Sequence, residues 1–107
     1  MITLFRAVSQ PEKEDYDALL AFRTGRNTLE AKQFFKTRAA VTSFAGDAVE
    51  QNYDPPYTHL MIVTADDDQF DIIQRTRKLD GYDAVHIEED DLPAFNNCVI
   101  FVKQEVL

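Results

Sequence analysis

One arginine stands alone in an apolar segment near the start of the chain. Arg6 lies within LFRAV (residues 4–8), and strand alternation places it on the same face as Leu4 and Val8. A guanidinium on that face either forms a salt bridge at the sheet edge or projects into a cleft. In a cleft its fork of donors fits a pyrophosphate or a carboxylate. Arg6 is therefore the first candidate for a binding residue.

Two runs of carboxylates are the next groups with chemical potential. They are DDD (residues 66–68) and EEDD (residues 88–91). One interpretation is that both are solvated loops that keep a small protein soluble. The other is that they form an acidic rim beside a locally basic pocket, which holds a small anion although the whole chain is acidic. The residues alone leave both interpretations open.

Metal ligands and nucleophiles are sparse. One cysteine and two histidines are too few for a structural zinc site, and the acidic runs lack the spacing of a calcium loop. The three glycines are far apart, which excludes a P-loop and a GxGxxG fingerprint. We expect Cys98 to be a buried, inert thiol and His59 to be a half-exposed structural residue. We predict no metal site.

The charge balance narrows the partners. The 107 residues include 19 acidic and 11 basic side chains, a net charge of −8. Such a chain is poorly suited to the phosphate backbone of nucleic acid and to anionic lipid. The longest apolar run, residues 60–63, is far too short to span a membrane. We therefore expect one domain over residues 1–107, located in the cytoplasm, that binds neither nucleic acid nor membrane.

The hydrophobic pattern predicts five short strands, at residues 2–8, 31–36, 57–65, 84–87 and 98–106. The segment 66–79 is ambiguous between a helix and a loop. Because a regular alternation of strands and helices is absent, the pattern favours an α+β fold over a doubly wound parallel sheet.

Two helices are predicted from their caps. The first begins after Ser9, which has the capping-box spacing to Glu12, and Pro11 suits the first turn. We expect this helix to end before Gly25. The second begins after Thr37, and the two prolines at positions 55 and 56 come after its end.

Several segments follow one another in an order found in a known family. The series is LFRAVS (4–9), an acidic helix, NTLEAKQFF (27–35), PYT (56–58) and EDDLP (89–93). It resembles the small ADP-ribosyltransferase-like domains of bacterial polymorphic toxins and related bacterial proteins. The resemblance implies two short, mainly antiparallel sheets that form a cleft for NAD. It also implies weak NAD glycohydrolase or ADP-ribosyl transfer activity.

The resemblance assigns roles to particular residues. Arg6 matches the arginine that holds a phosphate or ribose of the dinucleotide. The strand that supports the nicotinamide half corresponds to residues 34–37, which makes Phe34, Lys36 and Thr37 cofactor-binding candidates. Glu88 or Glu89 corresponds to the catalytic carboxylate, which stabilises an oxocarbenium-like transition state.

Two departures from the family pattern and two alternative functions accompany this hypothesis. Lys36 stands where the family has serine or alanine, and Ala31 replaces a glycine. A lysine at that position either binds phosphate or blocks the nicotinamide pocket. The alternative function is a non-enzymatic interaction module that binds a basic protein through the two acidic runs. A further alternative is a small regulatory domain that binds no small molecule.

Overall fold

A six-stranded antiparallel sheet with three α-helices makes up the described part of the chain. The structure is a computed structural model and describes residues 1–23, 31–71, 75–79 and 81–107. Its elements are β1 (Ile2–Ser9), α1 (Gln10–Leu19), β2 (Ala31–Phe35), α2 (Arg38–Glu50), β3 (Tyr57–Ala65), β4 (Thr76–Leu79), β5 (Tyr82–Glu88), α3 (Leu92–Cys98) and β6 (Val99–Val106). The strand order is β4-β5-β2-β1-β3-β6. The α+β class predicted from the pattern is confirmed.

The sheet separates two apolar cores, because successive side chains of each strand point to opposite faces. Leu4 and Val8 of β1 face α1 and α3, together with a cluster of aromatic rings that includes Phe34 and Phe95. Ala7 of β1 faces α2 on the other side. The domain therefore has three layers, and Arg6 lies on the face that α1 covers.

The sheet has a narrow seam between β1 and β2. These strands are in register at one pair, Phe5 opposite Phe35, whereas β1 pairs with β3 from Ile2 to Ser9 and β2 pairs with β5 along its whole length. The two separate sheets that the resemblance implied are thus one sheet here, because the Phe5–Phe35 pair joins its halves. The two halves are β4-β5-β2 and β1-β3-β6.

The helix starts were predicted with mixed success. Thr37 caps α2 as expected, since its hydroxyl accepts a hydrogen bond from the Ala40 amide at 3.1 Å. The capping box at α1 is wrong: the Ser9 side chain makes no capping hydrogen bond, and Glu12 bonds Arg6 instead. Helix α1 ends at Leu19, and the next residue, Leu20, adopts a left-handed backbone conformation. Gly25, the predicted end, lies outside the described residues.

The ambiguous segment 66–79 ends in a strand. Residues Thr76–Leu79 form β4, antiparallel to β5, while Phe70 is buried against Phe95. Residues 72–74 lie outside the described part. The five strands predicted from the sequence are present with small changes of their ends, and Cys98 belongs to α3 rather than to the last strand. Within the described ranges, none of the helices has the length and apolar character needed to cross a membrane.

Candidate functional site

The Arg6 side chain lies at the seam and is held on three sides. Its Nε and Nη2 donate to the two carboxylate oxygens of Glu12, both at 2.7 Å. Its Nη1 donates to the backbone carbonyl of Gln33 at 2.8 Å, and the guanidinium lies 5.6 Å from the centre of the Phe34 ring. This is the bidentate geometry by which arginine recognises an oxyanion.

Lys32 completes this group of charges. It occupies the second position of β2, on the same face as Phe34, and its ammonium lies 3.4 Å from Glu12 Oε2. The residue is only 4% exposed and is the one charged residue that is buried in the described part of the chain. We call the three residues the Arg6–Glu12–Lys32 cluster. One carboxylate is shared by two cations, which leaves a net charge of +1.

The pKa values in the cluster follow from burial and from these contacts. Burial raises the pKa of Glu12, but the hydrogen bonds and charges of Arg6 and Lys32 outweigh it and hold that pKa below its ordinary value of 4.5. Burial lowers the pKa of Lys32, and the nearby Arg6 charge adds to this effect, although Glu12 opposes it. Glu12 is therefore ionised at neutral pH.

A cavity of about 410 Å³ opens beside the cluster. This volume falls within the range of about 300–1,000 Å³ that is typical of small-molecule sites. The Arg6 cavity, as we call it, lies where β1 ends and where β2 and β3 begin. It is lined by charged Arg6, Glu12, Lys32 and Asp54, by aromatic Phe35, Phe44, Tyr53 and Tyr57, and by Ala7, Ser9, Ala31, Gln33, Pro55 and Leu79.

The aromatic wall and the rim of the cavity differ in exposure. Tyr57 is half-buried, and burial raises the pKa of its hydroxyl, so the phenol remains protonated and available as a hydrogen-bond donor. Tyr53 is 45% exposed, and its ring centre lies 6.3 Å from that of Tyr57. Asp54 is exposed, so water screens its charge more than those in the cluster. Aromatic rings and charged side chains therefore line the same cavity.

Of the predicted cofactor-binding residues, only Arg6 lines this cavity. Phe34 is fully buried between Phe22 and Phe95, with ring centres 5.2 and 5.0 Å away, so it has no free face for a nicotinamide. Lys36 and Thr37 follow the far end of β2 and are exposed. The structure therefore does not bring these three residues to the site. Strand β2 lines the cavity with Ala31, Lys32, Gln33 and Phe35, but Phe34 packs into the core on the α1 side, and Lys36 and Thr37 follow the end of the strand.

The predicted catalytic carboxylates, Glu88 and Glu89, are not among the residues that line the cavity. Glu88 ends β5 opposite Ala31, a residue that lines the cavity, and its side chain is exposed. Glu89 begins a short 3-10 turn and is also exposed. Of the two, Glu88 is the one whose strand partner lines the cavity. The carboxylates among the lining residues are Glu12 and Asp54.

Sequence reasoning missed Glu12 and Lys32 as site residues. Lys32 carries the same signal that identified Arg6, since it is a lone cation on the face of a strand that also presents buried Phe34. Glu12 had no comparable signal, because its spacing from Ser9 is that of a helix cap.

The two acidic runs lie at opposite ends of the sheet. Asp66 follows β3 at the end where β1 begins, whereas Glu89 follows β5 at the end where β1 finishes. In the first run, oxygens of the three carboxylates lie within 4.8 Å of one another, but Asp67 pairs with the N-terminal amine and Asp66 bonds the amide of Asp68. The runs therefore do not form one continuous acidic face.

Comparisons with known proteins do not assign this chain to a family. No protein-family model, no curated protein and no solved structure matches the chain. The class that the structure itself defines is an α+β domain with one antiparallel sheet and a charged cavity at the end of that sheet.

The cluster predicts a specific dependence of stability on pH. The folded-state pKa of Glu12 is lowered, so its contribution is present above its ordinary pKa of 4.5 and is lost as the pH falls through the folded value. We expect the difference in unfolding free energy between the wild type and Glu12→Gln to narrow below pH 4.5. Urea unfolding of both proteins at constant ionic strength between pH 7 and pH 3.5 measures this difference. A difference that stays constant over this range would contradict the prediction.

Proposed function

We propose that this protein binds a phosphate-bearing dinucleotide, NAD in the first instance, in the Arg6 cavity. The observation that carries the proposal is the convergence of Arg6 and the buried Lys32 on a cavity of ligand size. A guanidinium fork and a buried ammonium are groups that bind phosphate oxygens, and the low local dielectric strengthens that attraction. Tyr53 and Tyr57 offer ring faces for a base or nicotinamide.

Catalytic turnover of NAD needs more than binding of the dinucleotide. Cleavage of the nicotinamide bond needs a carboxylate beside the developing positive charge. Glu12 lies in the cavity, but both its oxygens are bonded by Arg6. Two further carboxylates remain: exposed Asp54, which lines the cavity, and Glu88, which lies opposite the lining residue Ala31 and holds the position that the resemblance assigns to the catalytic carboxylate. We therefore propose weak glycohydrolase or ADP-ribosyl transfer activity at most, with Glu88 rather than Glu89 as its carboxylate.

The acidic runs support the alternative function less well. A basic protein partner needs a continuous surface of one sign to gain from electrostatic steering. Because Asp66 and Glu89 follow strands that end at opposite sides of the sheet, they offer two separate patches. Binding of a basic protein therefore ranks behind binding of a dinucleotide.

The test is to add NAD to the purified protein while following thermal unfolding and free nicotinamide. At 100 times the dissociation constant, a ligand of the folded state adds about 2.7 kcal/mol, which raises Tm by roughly 10–20 °C for a domain of this size. We expect this shift in the wild type and in Arg23→Ala, whose exposed guanidinium pairs with Asp15 instead. Arg6→Lys keeps the charge but loses the fork, so the shift should fall sharply.

Proton NMR on the same samples detects released nicotinamide. We expect slow release that Glu88→Gln abolishes and Glu89→Gln leaves unchanged. No thermal shift at millimolar NAD, in a wild type that is shown to be folded, would refute the proposed function.

A further inference from the structure

The Arg6–Glu12–Lys32 cluster combines two cations on strands with one carboxylate on a helix. Arg6 stays in place without Glu12, because the Gln33 carbonyl and the Phe34 ring also hold it. Lys32 is fixed by its position in β2 and by its burial. Glu12 lies in the first turn of α1 with 21% of its side chain exposed, and it is linked to the helix by three rotatable side-chain bonds.

The position of the Glu12 carboxylate has the chemistry of an anion subsite. Its two oxygens receive the arginine fork at 2.7 Å, and the ammonium of Lys32 approaches one of them at 3.4 Å. A phosphate group presents two oxygens to an arginine in the same bidentate way. With Glu12 rotated out, buried Lys32 and partly buried Arg6 face the cavity, and a phosphate dianion would balance their charge.

We propose that Glu12 is an internal occupant of this anion subsite, and that a phosphate group binds Arg6 and Lys32 by displacing its carboxylate. The identity of the whole ligand, a dinucleotide, rests on the proposed function. The subsite itself requires only that the ligand carries a phosphate group. Glu12 then lowers the affinity of the subsite for weakly charged ligands. Every such ligand must compete for Arg6 and Lys32 with a carboxylate that the chain holds at high local concentration.

Removal of Glu12 tests the proposal with inorganic phosphate as the probe. Binding is followed by thermal unfolding at a total ionic strength held constant with NaCl, and acetate serves as a second probe for a carboxylate ligand. We expect the dissociation constant for phosphate to be at least tenfold lower in Glu12→Ala than in the wild type. The matched control is Glu14→Ala, which removes an exposed carboxylate from the same helix and changes the net charge equally.

The double variant Glu12→Ala with Arg6→Lys should lose the gain in phosphate affinity. Equal phosphate affinity in Glu12→Ala and Glu14→Ala would overturn the proposal, because net charge would then explain any change. An acetate effect that exceeds the phosphate effect would also overturn it, because the subsite would then suit carboxylates.

If Glu12→Ala does not fold, two other measurements replace that variant: phosphate binding by Glu12→Gln, and the NMR signal of the Arg6 Nε–H group in the wild type. Phosphate should shift that signal, and a signal that does not respond counts against the proposal.

The outcomes separate this proposal from the proposed function. Phosphate binding that strengthens in Glu12→Ala without any NAD binding supports the subsite and refutes the dinucleotide. NAD binding of equal strength in the wild type and Glu12→Ala supports the dinucleotide and refutes displacement. Absence of both phosphate and NAD binding in every folded variant refutes both.

Discussion

Phe34→Ala is expected to lower the free energy of unfolding by about 4 kcal/mol, because it removes a fully buried ring and leaves a cavity. The ring packs edge-on to Phe22 and at a tilt against Phe95. A domain has only about 5–15 kcal/mol of stability, so this loss is a large fraction of the total. Chemical denaturation at pH 7 measures it.

The matched control for this substitution is Phe101→Ala. Phe101 lies in β6 with 57% of its surface exposed, so its removal should change stability by no more than about 0.5 kcal/mol. The pair also tests the role that the family resemblance assigned to Phe34. If Phe34→Ala kept its stability but lost NAD binding, the ring would be a ligand contact rather than a core residue.

Glu12→Gln is expected to cost about 3 kcal/mol, because it leaves two largely buried cations without their carboxylate. Lys32→Met should change stability by only about 1 kcal/mol in either direction, since the paired Arg6 and Glu12 remain and the desolvation of a buried ammonium is avoided. The two substitutions in one cluster therefore have very different effects. Urea unfolding of both variants at pH 7 provides the comparison.

Ligand binding separates the same two variants in the opposite order. Lys32→Met removes a cation that we propose binds phosphate, so it should weaken NAD binding while it leaves the fold intact. Glu12→Gln should bind phosphate more tightly although it is less stable. A Lys32→Met protein with unchanged affinity for NAD would show that Lys32 has only a structural role.

The candidate site was only partly predictable. Arg6 could be found because a cation inside an apolar strand is a local anomaly that needs a partner, and Lys32 carries the same anomaly. The partners of Arg6 could not be found from the sequence. Glu12 has the spacing of a helix cap, and Gln33 offers a backbone carbonyl 27 positions away in the chain. The path of β2 past the cavity then decided that Lys36 and Thr37 lie elsewhere.

The sequence by itself determined the local elements and the faces they bury. Strand β3 and helix α2 follow from periodicities of two and about 3.6 residues, and the Thr37 cap needs only a hydroxyl three residues from an amide. The tertiary structure alone decided which strands became neighbours, that the Phe5–Phe35 pair joins them into one sheet, and that Glu12 turns to Arg6. A periodic pattern encodes which face is buried, but the partner on that face is chosen by packing and by charge between distant parts of the chain.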